Sequence, residues 1–381
     1  MTERAWGLRR RLGRRAVLRA AAWLGVGTLL GGAGCRAAPA ASPLSPGGTP
    51  GAPSPTASGG ASTPRALQKV RVAGAGSIAE AGIFIAQAKG YFQQEGIELE
   101  QHQFDSIVRA IPALGTNQVD VGAGAIGASL FNAIERGVDV RIVGPQSQAL
   151  VEGDRGSLWY VVRRDLWEAG RVRDWSDLKG LTIAIPSKGG SNEYQLDGAL
   201  RAGGLTSADA NVVEIPFADQ VTALENRSVD IAQLTEPFAT AAVDRGLGAK
   251  WRLASAWTPR FQLTYLLYGP QLRTERADVA RRWMVAYLKG ARWYMQALAA
   301  GGALRDELFQ ILAAHTTVKD PALLARMSFT TLAVNGEIFT EDILAQARWA
   351  QERGYITTIP TLDQLVDDRF VQAAVAELGR E

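Results

Sequence analysis

The first stretch whose residue types and spacing could do chemistry is "VRVAGAGSIAEAG", residues 70–82. A short apolar segment runs into Gly74, Gly76 and Ala79, and this G-x-G-x-x-A spacing is the loose form of the dinucleotide-binding fingerprint. Asp105 follows the next apolar run, where such a fold keeps the acid that binds a ribose. The stretch therefore indicates either a nicotinamide or flavin enzyme, or another protein that begins with strand, turn and helix.

Side chains for nucleophilic or metal-assisted catalysis are scarce in this chain. It has two histidines, His102 and His315, and a single cysteine, Cys35. The H-E-x-x-H and G-x-S-x-G motifs of metalloproteases and serine hydrolases do not occur. We expect both histidines to be structural, and we expect no catalytic residues, no metal site and no cofactor.

The N-terminal segment has the pattern of an export signal. Seven arginines stand against one acid in residues 1–34, and the apolar run "AAAWLGVGTLLGGAG" stops at Cys35. A basic region followed by a short apolar region is typical of a signal peptide. "GRRAVLR" is similar to the twin-arginine motif, and "LLGGAGC" to a lipobox. We expect residues 1–34 to be removed and Cys35 to be lipidated.

Residues 35–66 are almost all Ala, Pro, Ser, Gly and Thr. Such a composition buries too little apolar surface to offset its ordering entropy, so it predicts a disordered tether. Of the 41 basic and 38 acidic residues, 34 and 37 remain after residues 1–34 are removed, a formal charge of −3. The mature chain therefore gives no electrostatic reason to expect nucleic acid as a partner.

Strand and helix patterns alternate along the remaining residues. "KVRVAG" precedes the helical "AGIFIAQAKGYFQQEG", and "LKGLTIAIP" later restarts the same alternation. Short β-branched runs between amphipathic segments predict an α/β fold with mostly parallel sheets. Residues 110–137 parallel residues 220–246, and the Val-Asp pairs at Asp120 and Asp230 recur in both, which favours a structural role for these two acids.

Several segments in a specific order resemble a known family: "AQAKGYFQQEGIELE", "ALGTNQVDVGAG", "LKGLTIAIP", "ALENRSVDIAQLTEPF" and "RWMVAYLKGARWY". They are similar to extracytoplasmic substrate-binding proteins of ABC importers, in the group for nitrate, sulfonate, taurine and thiamine-pyrimidine precursors. The resemblance implies a type II periplasmic-binding-protein fold, in which two doubly wound lobes close over a ligand by a two-segment hinge. We expect lobe 1 at 67–160 and 266–381, lobe 2 at 166–258, and crossings near 157–165 and 261–269.

Ligands of open α/β sheets bind outside the carboxyl ends of the strands. In this frame the turn at Gly74 and Gly76 faces a cleft, and Asp105 need not meet a ribose. The loop that contains Ser191 and Asn192 is expected either to offer backbone N–H groups to the ligand or to act as a plain helix cap. The predicted ligand-binding residues are Ser77, Ile78, Glu80, Phe104, Asp105, Ala125, Gln146, Ser187, Gly190, Ser191, Asn192, Tyr194, Phe217, Asp219, Glu236 and Phe238.

The charges of these loops favour one ligand class. The acids Glu80, Asp105, Glu193, Asp219 and Glu236 stand against Lys188 alone. A sulfonate or nitrate site prefers cationic or backbone donors, whereas carboxylates accept hydrogen bonds from ring N–H groups and amines. Aromatic residues near the predicted cleft also suit a flat ligand.

We therefore expect a solute-binding protein for a heteroaromatic vitamin precursor such as a pyrimidine or a flavin. The alternatives are a sulfonate, taurine or nitrate binder and, less favoured, a pyrimidine-synthesising enzyme of the same fold. The expected partners are the small ligand and the permease and ATPase subunits of an importer. The protein is expected to act as a monomer, lipid-anchored to the outer face of the cytoplasmic membrane.

Overall fold

The computed structural model describes residues 67–104, 106–150, 156–316 and 318–381. The expected signal peptide, tether and lipidated Cys35, together with Asp105, lie outside the described residues. In chain order the strands are β1 (Gln68–Gly74), β2 (Ile97–Gln103), β3 (Val121–Gly124), β4 (Arg141–Pro145), β5 (Ser147–Leu150), β6 (Leu158–Arg163), β7 (Thr182–Ile185), β8 (Asn211–Glu214), β9 (Ile231–Thr235), β10 (Gly248–Leu253), β11 (Arg260–Gln262), β12 (Tyr265–Tyr268) and β13 (Thr331–Leu332).

The helices alternate with these strands and then dominate the C-terminal part. They are α1 (Ala81–Ala88), α2 (Tyr91–Gln94), α3 (Ile107–Gly115), α4 (Ala128–Glu135), α5 (Arg164–Glu168), α6 (Ser191–Ala202), α7 (Phe217–Glu225), α8 (Phe238–Asp244), α9 (Pro270–Thr274), α10 (Ala277–Ala300), α11 (Gly302–His315), α12 (Pro321–Arg326), α13 (Thr340–Glu352), α14 (Leu362–Leu365) and α15 (Arg369–Leu378). Short 3₁₀ turns lie at Ile78–Glu80, Trp175–Leu178 and Ser207–Asp209. Within the described residues, no helix has the length and apolar character to cross a bilayer.

Two five-stranded sheets form the centres of two lobes. The first has the order β2-β1-β3-β12-β4 and the second β10-β6-β9-β7-β8. In each sheet one strand, β12 or β6, runs antiparallel to both of its neighbours, and three adjacent strands, β2-β1-β3 or β9-β7-β8, are parallel. Helices cover both faces of each sheet, so the inner strands β3, β6, β7, β9 and β12 are mostly apolar and buried, whereas the edge strand β2 carries polar and exposed residues. The expected two-lobe, doubly wound architecture is confirmed.

The lobes are joined through a small third sheet of order β11-β5-β13. The antiparallel ladder pairs Gln148 of β5 with Gln262 of β11 on one side and with Thr331 of β13 on the other. Residues 158–163, for which we expected a crossing, instead form β6 in the second sheet. An apolar run such as "LWYVV" has the same appearance in a crossing segment and in a core strand, so the pattern could not separate the two.

The two Val-Asp pairs hold equivalent places in the two sheets. Asp120 accepts hydrogen bonds from the backbone N–H of Arg71 at 2.8 Å and from its guanidinium at 2.9 Å. Asp230 likewise accepts from the backbone N–H of Thr182 at 2.8 Å and from the guanidinium of Arg163 at 2.8 Å. Each carboxylate therefore ties the start of one strand to its parallel neighbour, which is a structural role.

Candidate functional site

The two lobes touch at the carboxyl ends of their parallel strands. Gly127, in the loop after β3, forms an isolated β-bridge with Gly190, in the loop after β7. The N–H of Ala128 donates to the carbonyl of Gly189 at 2.9 Å, and the N–H of Ser191 donates to that of Ile126 at 3.2 Å. A Cβ on Gly127 would lie 2.8 Å from the Cα of Gly190, so this approach requires glycine. The candidate site is this strand-end region, with the lobes in contact.

The turn after β1 encloses a carboxylate of its own chain. The backbone N–H groups of Ala75, Gly76 and Ser77 donate to the carboxylate of Glu80 at 2.9, 3.3 and 3.3 Å. The Ser77 hydroxyl donates to the same group at 3.3 Å. Burial raises the pKa of Glu80 to about 7, against these four hydrogen bonds, which act to lower it. The N–H groups that a dinucleotide pyrophosphate would use are therefore already occupied.

The loop after β7 has a similar internal acid. Glu193 accepts a hydrogen bond from the backbone N–H of Gly189 at 2.7 Å and another from the Tyr355 hydroxyl of lobe 1 at 2.9 Å. Asn192 donates through its side-chain amide to Gln233 of β9 at 2.9 Å, and Gln233 donates back to the Asn192 carbonyl at 3.0 Å. The polar groups of this loop thus hold the loop to its own sheet and to lobe 1.

Glu236, after β9, is fully buried and has a complete set of partners. Its carboxylate forms an ion pair with Lys250 of β10 and accepts from the N–H of Thr240 at 3.0 Å. It also accepts from the backbone N–H of Ser328, in lobe 1, at 3.1 Å. Lys250 donates in addition to the Thr240 hydroxyl at 2.7 Å. Glu236 therefore acts as a bridge between the lobes in this closed arrangement.

The excess of acids in the strand-end loops is consequently not free to bind a ligand. Glu80, Glu193 and Glu236 are each satisfied by groups of the same chain. Asp219 is exposed on the first turn of α7. The number of acids in these loops favoured a cationic or donor-rich ligand. Because most of these acids are engaged within the chain, that number does not describe the surface that the site presents.

One predicted site residue stands out because its polar atoms have no partner. The side chain of Gln146 is 0% exposed, and neither its amide nitrogen nor its amide oxygen is hydrogen-bonded. Gln146 lies between β4 and β5, where the chain leaves the first sheet. Tyr265, which pairs with Pro145 and Gly124 at the same edge, buries its hydroxyl beside the side chain of Gln346. A ligand could satisfy the Gln146 amide.

The predicted aromatic residues divide into two groups. Tyr194 packs against Trp257, Phe261 and Trp349, with ring centroids 5.6, 5.9 and 5.6 Å apart. Phe217 and Phe238 stack at 6.4 Å on the second lobe. These ring contacts are packing interactions. The rings of Tyr194, Phe217 and Phe238 are each partly exposed.

The indole of Trp159 lies near the Glu236 network, with the Lys250 ammonium 5.6 Å from its ring centroid. Its buried Nε1 has no hydrogen-bond partner. Trp159 therefore joins Gln146 as a side chain with an unused polar group in the region where the lobes meet.

The remaining predicted residues lie at the strand ends without a distinctive polar role. Ile78 is part of the core of lobe 1. Half-buried positions are held by Ser77, Phe104, Ala125 and Ser187, whereas Gly190 and Ser191 are buried at the contact between the lobes. Their contacts within the chain neither require a ligand nor prevent one.

Sequence reasoning missed the part that α13 and its C-terminal turn play. The indole N–H of Trp349 donates to Asp197 of α6 at 2.8 Å, and Arg353 forms an ion pair with the same carboxylate. Pockets of about 310 and 480 Å³ flank α6 beside these contacts. Because α13 is far from α6 in the chain, no local pattern could have indicated this pairing.

The histidines have ordinary surroundings. His102 lies on β2 and contacts Glu100 at 2.8 Å on the surface. His315 stacks on Phe84 at 5.7 Å, and burial lowers its pKa. Among the described residues, no group of three His, Cys, Asp or Glu side chains is placed to hold a metal ion.

Comparison with known proteins identifies the family. The family profile described as NMT1/THI5 like matches residues 78–297. The chain belongs to the NMT1/THI5-like family. This NMT1/THI5-like protein is 30% identical over 249 residues to the riboflavin-binding protein RibY of Chloroflexus aurantiacus, an alignment that covers 64% of this chain. The alignment spans 66% of the length of RibY, slightly less than two thirds.

Solved structures confirm the fold of this NMT1/THI5-like protein. The periplasmic nitrate-binding protein NrtA of Synechocystis PCC 6803 is 14% identical with a TM-score of 0.66, covering 82% of this chain and 89% of NrtA. The aliphatic sulphonate binding protein SsuA of Escherichia coli is 18% identical with a TM-score of 0.60, covering 80% and 98%. The desulfurization enzyme DSZB shares the fold at 15% identity and a TM-score of 0.57, covering 81% and 99%. The expected resemblance to ABC-type binding proteins is confirmed, and the fold by itself does not fix the ligand.

Proposed function

We propose that this protein is the solute-binding component of an ABC importer, and that its ligand is an uncharged heteroaromatic compound of the riboflavin class. The family membership and the two-lobe fold support the first part, and the similarity to RibY supports the second. The lobes close over the ligand by rotation at the β5–β11–β13 sheet, and the closed form delivers the ligand to the permease.

The observation that carries the ligand class is the unpaired amide of Gln146. It offers a donor and an acceptor side by side, both buried. The imide edge of a flavin or pyrimidine presents a ring N–H beside carbonyl oxygens, which is the complementary pattern. A sulfonate or nitrate presents acceptors only and would leave the amide oxygen unsatisfied, at a cost of about 1–3 kcal/mol.

The backbone donors give a second reason to prefer an uncharged ligand. The loops after β1 and β7 each lead into a helix. Their backbone N–H groups already donate to internal carboxylates, at Ala75, Gly76, Ser77 and Gly189. An anion would have to displace these carboxylates. Sulfonate, taurine and nitrate, which were the alternatives from the sequence, therefore find less support in the site.

The proposed role is binding without catalysis. His102 and His315, the two histidines of the chain, both have structural contacts. The N-terminal sequence pattern supports export and anchoring. We propose that Cys35 carries the lipid anchor of a monomeric extracytoplasmic protein, and replacement Cys35→Ala should release the protein from membrane fractions.

Native mass spectrometry and thermal unfolding test the proposal. The full chain is incubated in turn with riboflavin, a hydroxymethyl-pyrimidine, ethanesulfonate and nitrate. We expect a 1:1 complex and added stability with one of the first two, about 2.7 kcal/mol at 100 times the dissociation constant. Stabilisation by ethanesulfonate or nitrate alone would overturn the ligand class, and turnover of a ligand would overturn the binding role.

A further inference from the structure

The turn after β1 is an anion-binding nest that the chain fills itself. Three consecutive N–H groups, from Ala75, Gly76 and Ser77, converge on Glu80, and Gly76 has a φ of +68°. Successive N–H groups in such a turn form a concavity that binds anionic groups in many proteins. In this chain the occupant is a side chain five residues after the first donor.

The surrounding residues are shaped for that carboxylate. A Cβ on Gly74 would lie 2.1 Å from the carboxylate oxygen Oε2 of Glu80, so glycine at this position leaves room for the carboxylate where it now lies. Glu80 itself is 5% exposed, whereas Ala75, Gly76 and Ser77 are only half-buried. The backbone of the nest thus retains access to solvent, while the carboxylate is held inside.

The nest lies on the edge of lobe 1 that faces lobe 2. β1 is the parallel neighbour of β3, and the loop after β3 touches lobe 2 at Gly127 and Gly190. The carboxyl ends of neighbouring parallel strands share one edge of a sheet. The nest is therefore positioned at the cleft where the proposed ligand is bound.

We propose that Glu80 is a specificity-determining residue: by filling the N–H nest with an internal carboxylate, it denies the nest to sulfonate and other oxyanions. The cleft is thereby left to uncharged ligands. This inference rests on the proposed function, since it requires that ligands bind in this cleft. Glu80 acts by occupancy and touches no ligand.

The test compares variants that empty the nest with variants that only remove charge. In Glu80→Ala the three N–H groups lose their acceptor and the space becomes free for an oxyanion. In Glu80→Gln the charge is removed but a side chain of the same shape remains. Glu98→Ala, at an exposed position of β2, is the control for net charge. Isothermal titration of each full-length protein with ethanesulfonate and with nitrate gives the affinities.

We expect Glu80→Ala to bind ethanesulfonate at least about tenfold more tightly than the wild-type protein, with Glu80→Gln and Glu98→Ala unchanged, because new charge-assisted hydrogen bonds form only in the emptied nest. Equal ethanesulfonate affinity of folded Glu80→Ala and wild type would overturn the inference. So would an equal gain in Glu98→Ala. If Glu80→Ala is unfolded in buffer, we expect it to refold in 100 mM ethanesulfonate but not in 100 mM NaCl. Failure to refold in either salt would contradict the inference.

Riboflavin titration of the wild-type protein separates the two proposals. If riboflavin does not bind but Glu80→Ala gains affinity for ethanesulfonate, the proposed ligand class fails and the role of Glu80 stands. If riboflavin binds and Glu80→Ala gains no affinity for either oxyanion, the ligand class stands and the role of Glu80 fails.

Discussion

The indole N–H of Trp349 donates a 2.8 Å hydrogen bond to the carboxylate of Asp197, and this bond links α13 of lobe 1 to α6 of lobe 2. Arg353 donates to the same carboxylate. Asp197 is 7% exposed, so the linkage is shielded from water. The contact stabilises the closed arrangement, in which a ligand would be enclosed.

Replacement Asp197→Ala should therefore weaken ligand binding through the dissociation rate. Leaving the Trp349 and Arg353 donors without their acceptor costs about 1–3 kcal/mol in the closed form, or a rise of roughly 5- to 150-fold in the dissociation constant for riboflavin. Stopped-flow flavin fluorescence should show faster dissociation and an unchanged association rate. Glu352→Ala, exposed on α13, is the control, and an unchanged dissociation rate in Asp197→Ala would refute the role of this contact.

Replacement Gln146→Leu should separate stability from binding. The Gln146 amide is buried without partners, so an apolar side chain of similar size should raise the free energy of unfolding of the free protein, by about 1 kcal/mol. The same change should abolish tight riboflavin binding. Urea unfolding and fluorescence titration measure the two effects.

Gln262→Leu is the matched control for this experiment. Its amide donates to the carbonyls of Ser147 and Thr264 at 3.0 and 3.2 Å, so the replacement should destabilise the protein. Destabilisation by Gln146→Leu to the same extent would show that the Gln146 amide has partners within the chain.

These two glutamines show what the sequence could and could not indicate. The alternation of apolar strands with helices predicts both lobes, and the strand-end rule places Gln146 near the cleft. Whether an amide there is paired depends on contacts such as that between Gln262 and Ser147, 115 residues away. Hydrophobic periodicity carries no information about such distant polar pairs.

The acids divide in the same way. Ser77 and Glu80 have the S-x-x-E spacing of a capping box, so the internal use of Glu80 has a local signal in the sequence. The partners of Glu236 are Lys250, on another strand, and Ser328, 92 residues further along. A count of charges in the loops therefore overestimates the acids available to a ligand, because it does not include partners that are distant in the sequence.

Replacement Lys250→Met should strongly destabilise lobe 2. It leaves the fully buried Glu236 without its cation, which costs about 3–5 kcal/mol in urea unfolding. The double replacement Lys250→Met with Glu236→Gln should recover at least half of that loss. Arg245→Met, which breaks an exposed pair with Glu225, is the comparison and should cost less than about 1 kcal/mol. A similar cost for both single replacements would contradict the buried ion pair.

Glu80 should make the stability depend on pH. Burial raises the pKa of Glu80 from its usual 4.5 to about 7, so between these values the folded protein binds more protons than the unfolded one. The free energy of unfolding therefore decreases as the pH rises through this range, by up to about 1.4 kcal/mol per pH unit from this group.

Urea unfolding at pH 5 and pH 8 measures this effect. The loss of stability on going to pH 8 should be smaller in Glu80→Gln than in the wild-type protein, because glutamine does not titrate. Glu98→Gln, at the exposed position on β2, should lose as much as the wild type. An equal loss in all three proteins would show that the pKa of Glu80 is not raised.

The central claim is that the closed cleft binds an uncharged heteroaromatic ligand. Titration of the full chain with riboflavin, followed by the quenching of flavin fluorescence, tests it most directly, with ethanesulfonate added as competitor. We expect saturable 1:1 quenching that Gln146→Leu abolishes and that ethanesulfonate does not reverse. Absence of quenching together with saturable binding of ethanesulfonate or nitrate to the wild-type protein would contradict it.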